Sequence, residues 1–390
     1  MPELRHVAWI NEGARPDGGA ERYVFETAVH LRARGIRSTL LYDPGSPAPA
    51  SLLEAFDGAF PLLDPTRQLR ELAPDVVYAH RLPRGVTEEA IAAAGRPVVR
   101  FFHDHQLFCL REHKYTAITK SPCTREVGTH CYACLGFLKK TEDAPFVQLR
   151  TVGALRDRQR SNHGFSSFVV GSQAMARQLD LHGFHKDRVH VVPLYASSPA
   201  APVIDEPRDR GLLFVGALTR GKGLDVLLRA MAILGGDLAL RVVGRGPQSL
   251  ELRELARELG VLDRVFFIGT LPSHDVARLY RSATAVVIPS RAPETFGLVG
   301  VEAMSHGTPI IASLVGGIGE WLEHEQTGLA VPPNDEHALA KAIDRIVREP
   351  ALAARLGARA REVHGEKFLP RHHVDRLLPI LASAAAAGVA

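Results

Sequence analysis

The chain has 390 residues, too many for one ordinary hydrophobic core and suited to two domains. Hydrophobic residues make up 46% and charged residues 23%, which excludes a disordered or fibrous chain. A net charge of +4 suits anionic ligands or a negatively charged membrane surface, and falls short of a nucleic-acid footprint. Met1–Arg22 has no apolar stretch of the signal-peptide kind, and no apolar run reaches bilayer length, since Leu377–Ala390 is Ala-rich and too short. The expectation is a cytoplasmic protein.

Short apolar runs alternate with amphipathic stretches along the chain, the pattern of parallel sheets covered by helices. Strands are expected at His6–Asn11, Ser38–Asp43, Asp75–His80, Pro97–Asp104, Ser166–Ser172 and Val189–Tyr195. Ala20–Gly35 reads as a helix, with Tyr23, Thr27, Ala28 and Leu31 on one face and Gly35 as its cap. Ala196–Arg210 is rich in Pro, Ala and charge and reads as the inter-domain linker. A second series follows, with strands at Gly211–Leu218, Leu238–Gly244, Val265–Gly269, Ala285–Ser290, Pro309–Ser313 and Gly328–Val331. Helices are expected at Leu224–Leu234, Gln248–Leu259, His274–Ser282, Leu298–His306 and Asp335–Arg348. Both halves read as doubly wound sheets, which bind ligands at the carboxyl ends of their strands.

Two segments of the second half suit an anion. In Phe214–Gly223 a strand passes through a glycine-punctuated turn into a helix, and Arg220 and Lys222 add charge beside the free amides at the helix start. In Pro289–Met304 a strand ends at Ser290, Glu294 lies in the loop, a helix begins near Gly297, and Glu302 sits a turn inside it. Carboxylates repel a diphosphate, so these two should face sugar and ribose hydroxyls. A solvated basic turn and two helix-end glutamates are the plainer reading of the same residues.

Together these segments resemble family 4 of the retaining glycosyltransferases. The resemblance rests on Glu294 and Glu302 in an E-x7-E element, the turn holding Gly216 and Lys222, and the Gly244–Gly246 loop. It continues through Gly307–Pro309, Gly316–Glu320 and Thr327–Leu329, and reaches the first half at Gly18–Arg22 and His103-Asp104. It implies the α/β GT-B fold: two facing Rossmann-like, doubly wound domains with a cleft between them. The boundaries expected are 1–198 for the acceptor domain, with a Cys-rich insertion at about 105–140, 199–369 for the nucleotide-sugar domain, and 370–390 for a helix crossing back to the first.

The implied activity is retaining transfer of a sugar from a nucleoside-diphosphate sugar, UDP- or GDP-linked, to a hydroxyl of a glycan, lipid-linked or small-molecule acceptor. Carried over by position, Lys222 binds the diphosphate, Glu302 the ribose and Glu294 the donor sugar, with Phe296, Gly297 and Leu298 lining the diphosphate. Gly18 and Gly19 form the first-domain phosphate loop, Gly216 and Gly244 line the donor site, and His103 orients the sugar or acceptor. No Asp-x-Asp motif is present, in keeping with metal-independent, front-face chemistry and no cofactor for transfer. The sequence departs from the family at Ala217, where relatives carry an arginine; Arg220 is the candidate substitute. The alternatives are a GT-B epimerase or phosphorylase, or an inactive partner subunit because of Ala217.

All four cysteines, Cys109, Cys123, Cys131 and Cys134, fall in one stretch that also holds His113 and His130. The C-x2-C pair suggests a structural zinc site, with an iron–sulfur cluster, a disulfide or free thiols as alternatives. His80, at a strand end, is either an acceptor ligand or a structural hydrogen-bonder. Lys139–Arg160 combines apolar and basic residues, as would an ordinary packed helix or an interfacial one in peripheral contact with the inner membrane face.

Overall fold

The computed structural model describes residues 4–16, 18–116, 121–140, 147–197 and 211–388. Most of the expected linker, residues 198–210, lies outside them, as do 141–146 of the basic stretch. The chain divides into two compact units. One comprises Met1–Glu112, Thr124–Pro193 and Pro370–Ala390; the other comprises His113–Cys123 and Leu194–Leu369.

The first unit runs β1 (His6–Asn11), α1 (Gly19–Arg32), β2 (Arg37–Tyr42), α2 (Leu52–Ala55), β3 (Gly58–Pro61), α3 (Pro65–Leu72), β4 (Val76–Ala79) and α4 (Glu88–Ala92). It continues with β5 (Val98–Phe102), α5 (His130–Ala133), β6 (Leu138–Lys140), β7 (Val147–Leu149), α6 (Val152–Asn162), β8 (Ser167–Val170), α7 (Gln173–Leu181) and β9 (Val189–Val191). Seven strands form a parallel sheet in the order β3-β2-β1-β4-β5-β8-β9, and β6 and β7 form a separate antiparallel hairpin. Both faces of this sheet are covered, so β1 is apolar from Val7 to Ile10, all fully buried. Gly35 sits beyond the end of α1 with φ +78, where a side chain would be strained. The short β3 and the β6–β7 hairpin were not anticipated from the sequence; β3 is half exposed at the sheet edge and lacks a buried apolar run.

The second unit contains β10 (Gly211–Val215), α8 (Leu224–Leu234), β11 (Ala239–Val243), α9 (Ser249–Glu258), β12 (Val265–Gly269), α10 (Ser273–Ser282), β13 (Ala285–Ile288), α11 (Leu298–Ser305), β14 (Ile310–Ser313), β15 (Leu329–Val331), α12 (Glu336–Arg348) and α13 (Pro350–Lys367). Its six parallel strands are ordered β12-β11-β10-β13-β14-β15, with clusters of buried aliphatic residues packed on the sheet. The strand order reverses beside β1 in one sheet and beside β10 in the other, and these switch points open crevices at the strands' carboxyl ends.

The last helix, α14 (Pro370–Ala387), belongs to the first unit and packs against α1, β4 and β5. Its buried residues include Val374, Leu377 and Leu381 at helical spacing. In the basic stretch, Val152 and Leu155 of α6 are buried in the first unit's core, so that part of its apolar face is spent on packing rather than left for a membrane. Among the described residues no helix is long and apolar enough to cross a membrane.

Candidate functional site

In the second unit the turn after β10 and the loop after β13 are fastened together. The amides of Arg291 and Ala292 donate to the Gly221 carbonyl at 2.8 and 3.1 Å. Gly223, in the left-handed region at φ +68, starts α8 where a Cβ would lie 2.0 Å from the Pro289 carbonyl oxygen. This close approach brings Lys222 to Glu294: its ammonium donates to both carboxylate oxygens, at 2.8 and 2.9 Å. Ser290 Oγ donates to the same carboxylate at 2.6 Å. The Glu294 backbone is fixed as well, because the Gly317 amide donates to its carbonyl at 2.7 Å. Lys222 is 36% and Glu294 13% exposed, so the pair is formed and still reachable from solvent.

Gly216 lies beside this pair, and Gly244 packs so closely on it that a Cβ at Gly244 would sit 2.0 Å from the Gly216 carbonyl oxygen. The two glycines therefore leave a floor of bare backbone. Gly297, at φ +83, precedes the first turn of α11, which starts at Leu298. The Phe296 carbonyl just before it accepts a hydrogen bond from Trp321 Nε1 at 2.8 Å. Trp321 fills the space a side chain at Gly300 would need, since a Cβ there would come within 2.2 Å of its ring. Sequence reasoning missed Trp321, although it directly follows the glycine motif ending at Glu320. Glu302 lies apart from the Lys222 pair and accepts from Tyr280 Oη at 2.7 Å. Arg220 is not brought to that pair: it is 74% exposed and meets Glu251 at 3.7 Å. Ala217 is exposed.

In the first unit, Gly18 caps the start of α1 in extended conformation, and a Cβ on it would meet Glu21 Oε2 at 2.3 Å; Gly19 faces open space. Glu21 is thereby tucked beside Gly18 and reaches Arg81 at 3.6 Å. His103 follows the end of β5, and its Nε2 is 2.9 Å from Nδ1 of His80 at the end of β4. Burial pushes both imidazoles well below the usual histidine range; Arg81 and Arg100 add to this at His103, and His103 and Arg100 at His80. Both rings are therefore neutral at physiological pH, and one donates its N–H to the other. A recess of about 50 Å³ beside them is lined by His80, His103, Asp104, Arg81, Arg100 and Arg158, among others. Arg81 is tied to Asp104 at 3.2 Å. Glu88 binds Arg100 at 3.4 Å and Arg158 at 3.1 Å.

Behind His103 stands a network that the sequence reading did not find. The Tyr23 ring packs edge-on against His103 and His80, with centroids at 5.4 and 5.8 Å. Its hydroxyl meets Tyr78 Oη at 2.7 Å and His373 Nε2 of α14 at 2.8 Å. His373 Nδ1 in turn reaches the Pro193 carbonyl at 2.8 Å. His373 lies 350 positions from Tyr23, and no local pattern links them.

The expected metal site needs correction. The four cysteines stand outside any disulfide and are partly buried, and among the described residues no group of three or more His, Cys, Asp or Glu side chains could hold a metal. Cys131 and Cys134 do share the turn at α5, but Cys131 packs against the apolar core. Cys123 belongs to the segment His113–Cys123 grouped with the other unit, where its amide donates to the Lys114 carbonyl at 2.7 Å. Proximity in sequence is not convergence of thiolates in space.

Two family models cover most of the chain: "Glycosyltransferase Family 4" matches residues 17–194 and "Glycosyl transferases group 1" residues 203–363. D-inositol 3-phosphate glycosyltransferase 1 of Catenulispora acidiphila is 30% identical over 96% of this chain and 93% of its own length. The chain belongs to glycosyltransferase family 4. Other relatives align over shorter stretches. A glycosyltransferase of Methanocaldococcus jannaschii is 38% identical over 36% of each chain. The Frankia alni D-inositol 3-phosphate glycosyltransferase is 38% identical over 50% of this chain and 54% of its own. Among solved structures, Anabaena HepE in complex with UDP-glucose has a TM-score of 0.72 at 21% identity, covering 97% of this chain and 99% of that one. Sucrose-phosphate synthase from Thermosynechococcus elongatus has a TM-score of 0.69 at 23% identity, covering 98% and 100%. The fold is GT-B, and the protein is a retaining glycosyltransferase that uses a nucleoside-diphosphate sugar.

Proposed function

We propose that the chain transfers a hexose from a UDP-sugar to a hydroxyl of a small polar acceptor, without a metal ion and with retention at the anomeric carbon. The observation that carries this reading is the preformed Lys222–Glu294 pair beside the bare backbone of Gly216. A lysine ammonium and backbone amides can neutralise a departing diphosphate where a bound cation otherwise would. Uridine is favoured because HepE, of the same fold, is described in complex with UDP-glucose.

In this reading Lys222 and the Phe296–Leu298 turn hold the diphosphate, and Glu302 takes the ribose hydroxyls. Glu294 accepts hydrogen bonds from the donor sugar. The C–O bond to the diphosphate is largely broken in an oxocarbenium-like transition state as the acceptor oxygen approaches the anomeric carbon from the same face, and the acceptor proton passes to the departing phosphate oxygen. No protein nucleophile is used. Neutral His103, held by His80, orients the sugar or acceptor, and residues 1–198 provide the acceptor domain and 199–369 the donor domain. The near full-length likeness to D-inositol 3-phosphate glycosyltransferase 1 makes a phosphorylated cyclitol the first acceptor to try.

Thermal shift with UDP-, GDP- and ADP-hexoses in chelator tests the donor assignment. UDP-hexose should stabilise most. A larger shift with another base would overturn the uridine assignment, and no shift with any of them would overturn the donor site.

A further inference from the structure

A recess of about 690 Å³ in the first unit contains none of the residues assigned to sugar transfer. Its volume falls within the roughly 300–1,000 Å³ typical of small-ligand sites. It lies along β9, the last strand of the seven-stranded sheet, and is walled by α7 on one side and α14 on the other. The floor is aliphatic, from Val189, Val191 and Val192 with Ala176 and Ile380.

Its charge is one-sided. Lys186 pairs with Asp180 at 3.2 Å, so those two cancel. Arg177 and Arg376 also line the recess, one from each helix, and neither has an ion-pair partner among the described residues. The carboxylate next to Arg376 in sequence, Asp375, is engaged by Arg34 at 2.7 Å. An aliphatic floor with two uncompensated guanidinium groups calls for a ligand with an anionic head and an apolar body. A neutral ligand would leave the arginines unused, and a bare anion would leave the floor wet.

We infer that this recess binds an anionic amphiphile, a phosphate or carboxylate head on an aliphatic chain, at a site separate from sugar transfer. The head pairs with Arg177 and Arg376, and the chain lies on Val191 and Ile380. The head could come from a membrane lipid or from a soluble phosphate ester, and both present the same chemistry.

The test is calorimetric titration of the full chain with octyl phosphate below its micelle concentration, with octyl glucoside and inorganic phosphate as controls. Octyl phosphate should bind about tenfold or more tightly than either control. The double variant Arg177→Ala/Arg376→Ala should lose about tenfold or more in that affinity while donor turnover is unchanged. Ala176→Leu, which fills the recess without touching charge, should weaken binding as well and covers the case of a misfolded double variant. Cosedimentation with phosphatidylglycerol and phosphatidylcholine vesicles separates the sources: arginine-dependent binding to the anionic vesicles alone assigns a lipid, and its absence alongside octyl phosphate binding assigns a soluble ligand. Equal affinity of octyl phosphate for wild type and both variants, equal binding of octyl glucoside, or no binding at all would overturn the inference.

Discussion

Replacing Lys222 with alanine removes a cation that the structure holds 2.8 and 2.9 Å from the Glu294 carboxylate. Its effect on folding should be small. Lys222 is about a third exposed, and Ser290 remains as a donor to Glu294, so the loss is about 1 kcal/mol or less. Its effect on chemistry should be large, because the leaving diphosphate gains negative charge in the transition state beyond what the donor already carries. Losing one preorganised donor there costs about 3–4 kcal/mol, or roughly 10²–10³ in turnover. Arg220→Ala is the matched control. Arg220 is 74% exposed and meets Glu251, itself 61% exposed, at 3.7 Å, so its removal should change turnover by about twofold at most. Sequence position alone suggested that the two cations share the diphosphate; in the structure Lys222 meets Glu294 and Arg220 meets Glu251. The assay is release of nucleoside diphosphate from the donor sugar in chelator, with melting temperature as the check on folding. Full metal-free turnover by Lys222→Ala, in a protein that melts normally, would refute the reasoning.

Further predictions follow from other contacts. Ala217→Arg should raise turnover, since the position is exposed and would add a cation on the same turn as Lys222; unchanged turnover would show that the site needs no second cation there. Glu302→Ala should abolish donor binding in a calorimetric titration and also lower stability by about 1 kcal/mol, through the lost hydrogen bond from Tyr280 Oη. Gly300→Ala should drive a methyl group into Trp321, costing about 1–3 kcal/mol in denaturant unfolding and displacing the Phe296–Leu298 turn. Stability should also fall on acidification. Burial holds His6, His306 and His373 at pKa values of about 4, so below about pH 6.5 the unfolded chain takes up protons that the fold refuses. Each contributes a loss of about 1.4 kcal/mol per pH unit until its folded pKa is reached, and His373→Gln should flatten the curve of unfolding midpoint against pH. An equally steep curve in that variant would remove His373 from the account.

The parts legible in the sequence were those with a local signature. Buried parallel strands appear as short apolar runs, so β1 at His6–Asn11 and β12 at Val265–Gly269 have the expected limits. The Gly216–Lys222 turn and the Glu294–Glu302 spacing were readable because glycine and charge recur at fixed offsets within one strand–loop–helix segment. What escaped was non-local. Tyr23 and His373 meet across 350 positions, and Trp321 sits where only the missing side chain of Gly300 makes room. The cysteine cluster misled for the converse reason. Its members are close in sequence, but the fold distributes them among a core-facing helix turn and a segment grouped with the other unit.

The central claim, metal-free transfer from a UDP-hexose with retention, is tested most directly by following the product's anomeric proton by NMR during turnover in excess chelator. With an α-linked UDP-hexose and a cyclitol phosphate acceptor, the first-formed product should carry the α-anomeric coupling, at a rate that added magnesium or manganese does not raise. A β-linked first product, or turnover that appears only when a divalent metal is restored, would contradict the account.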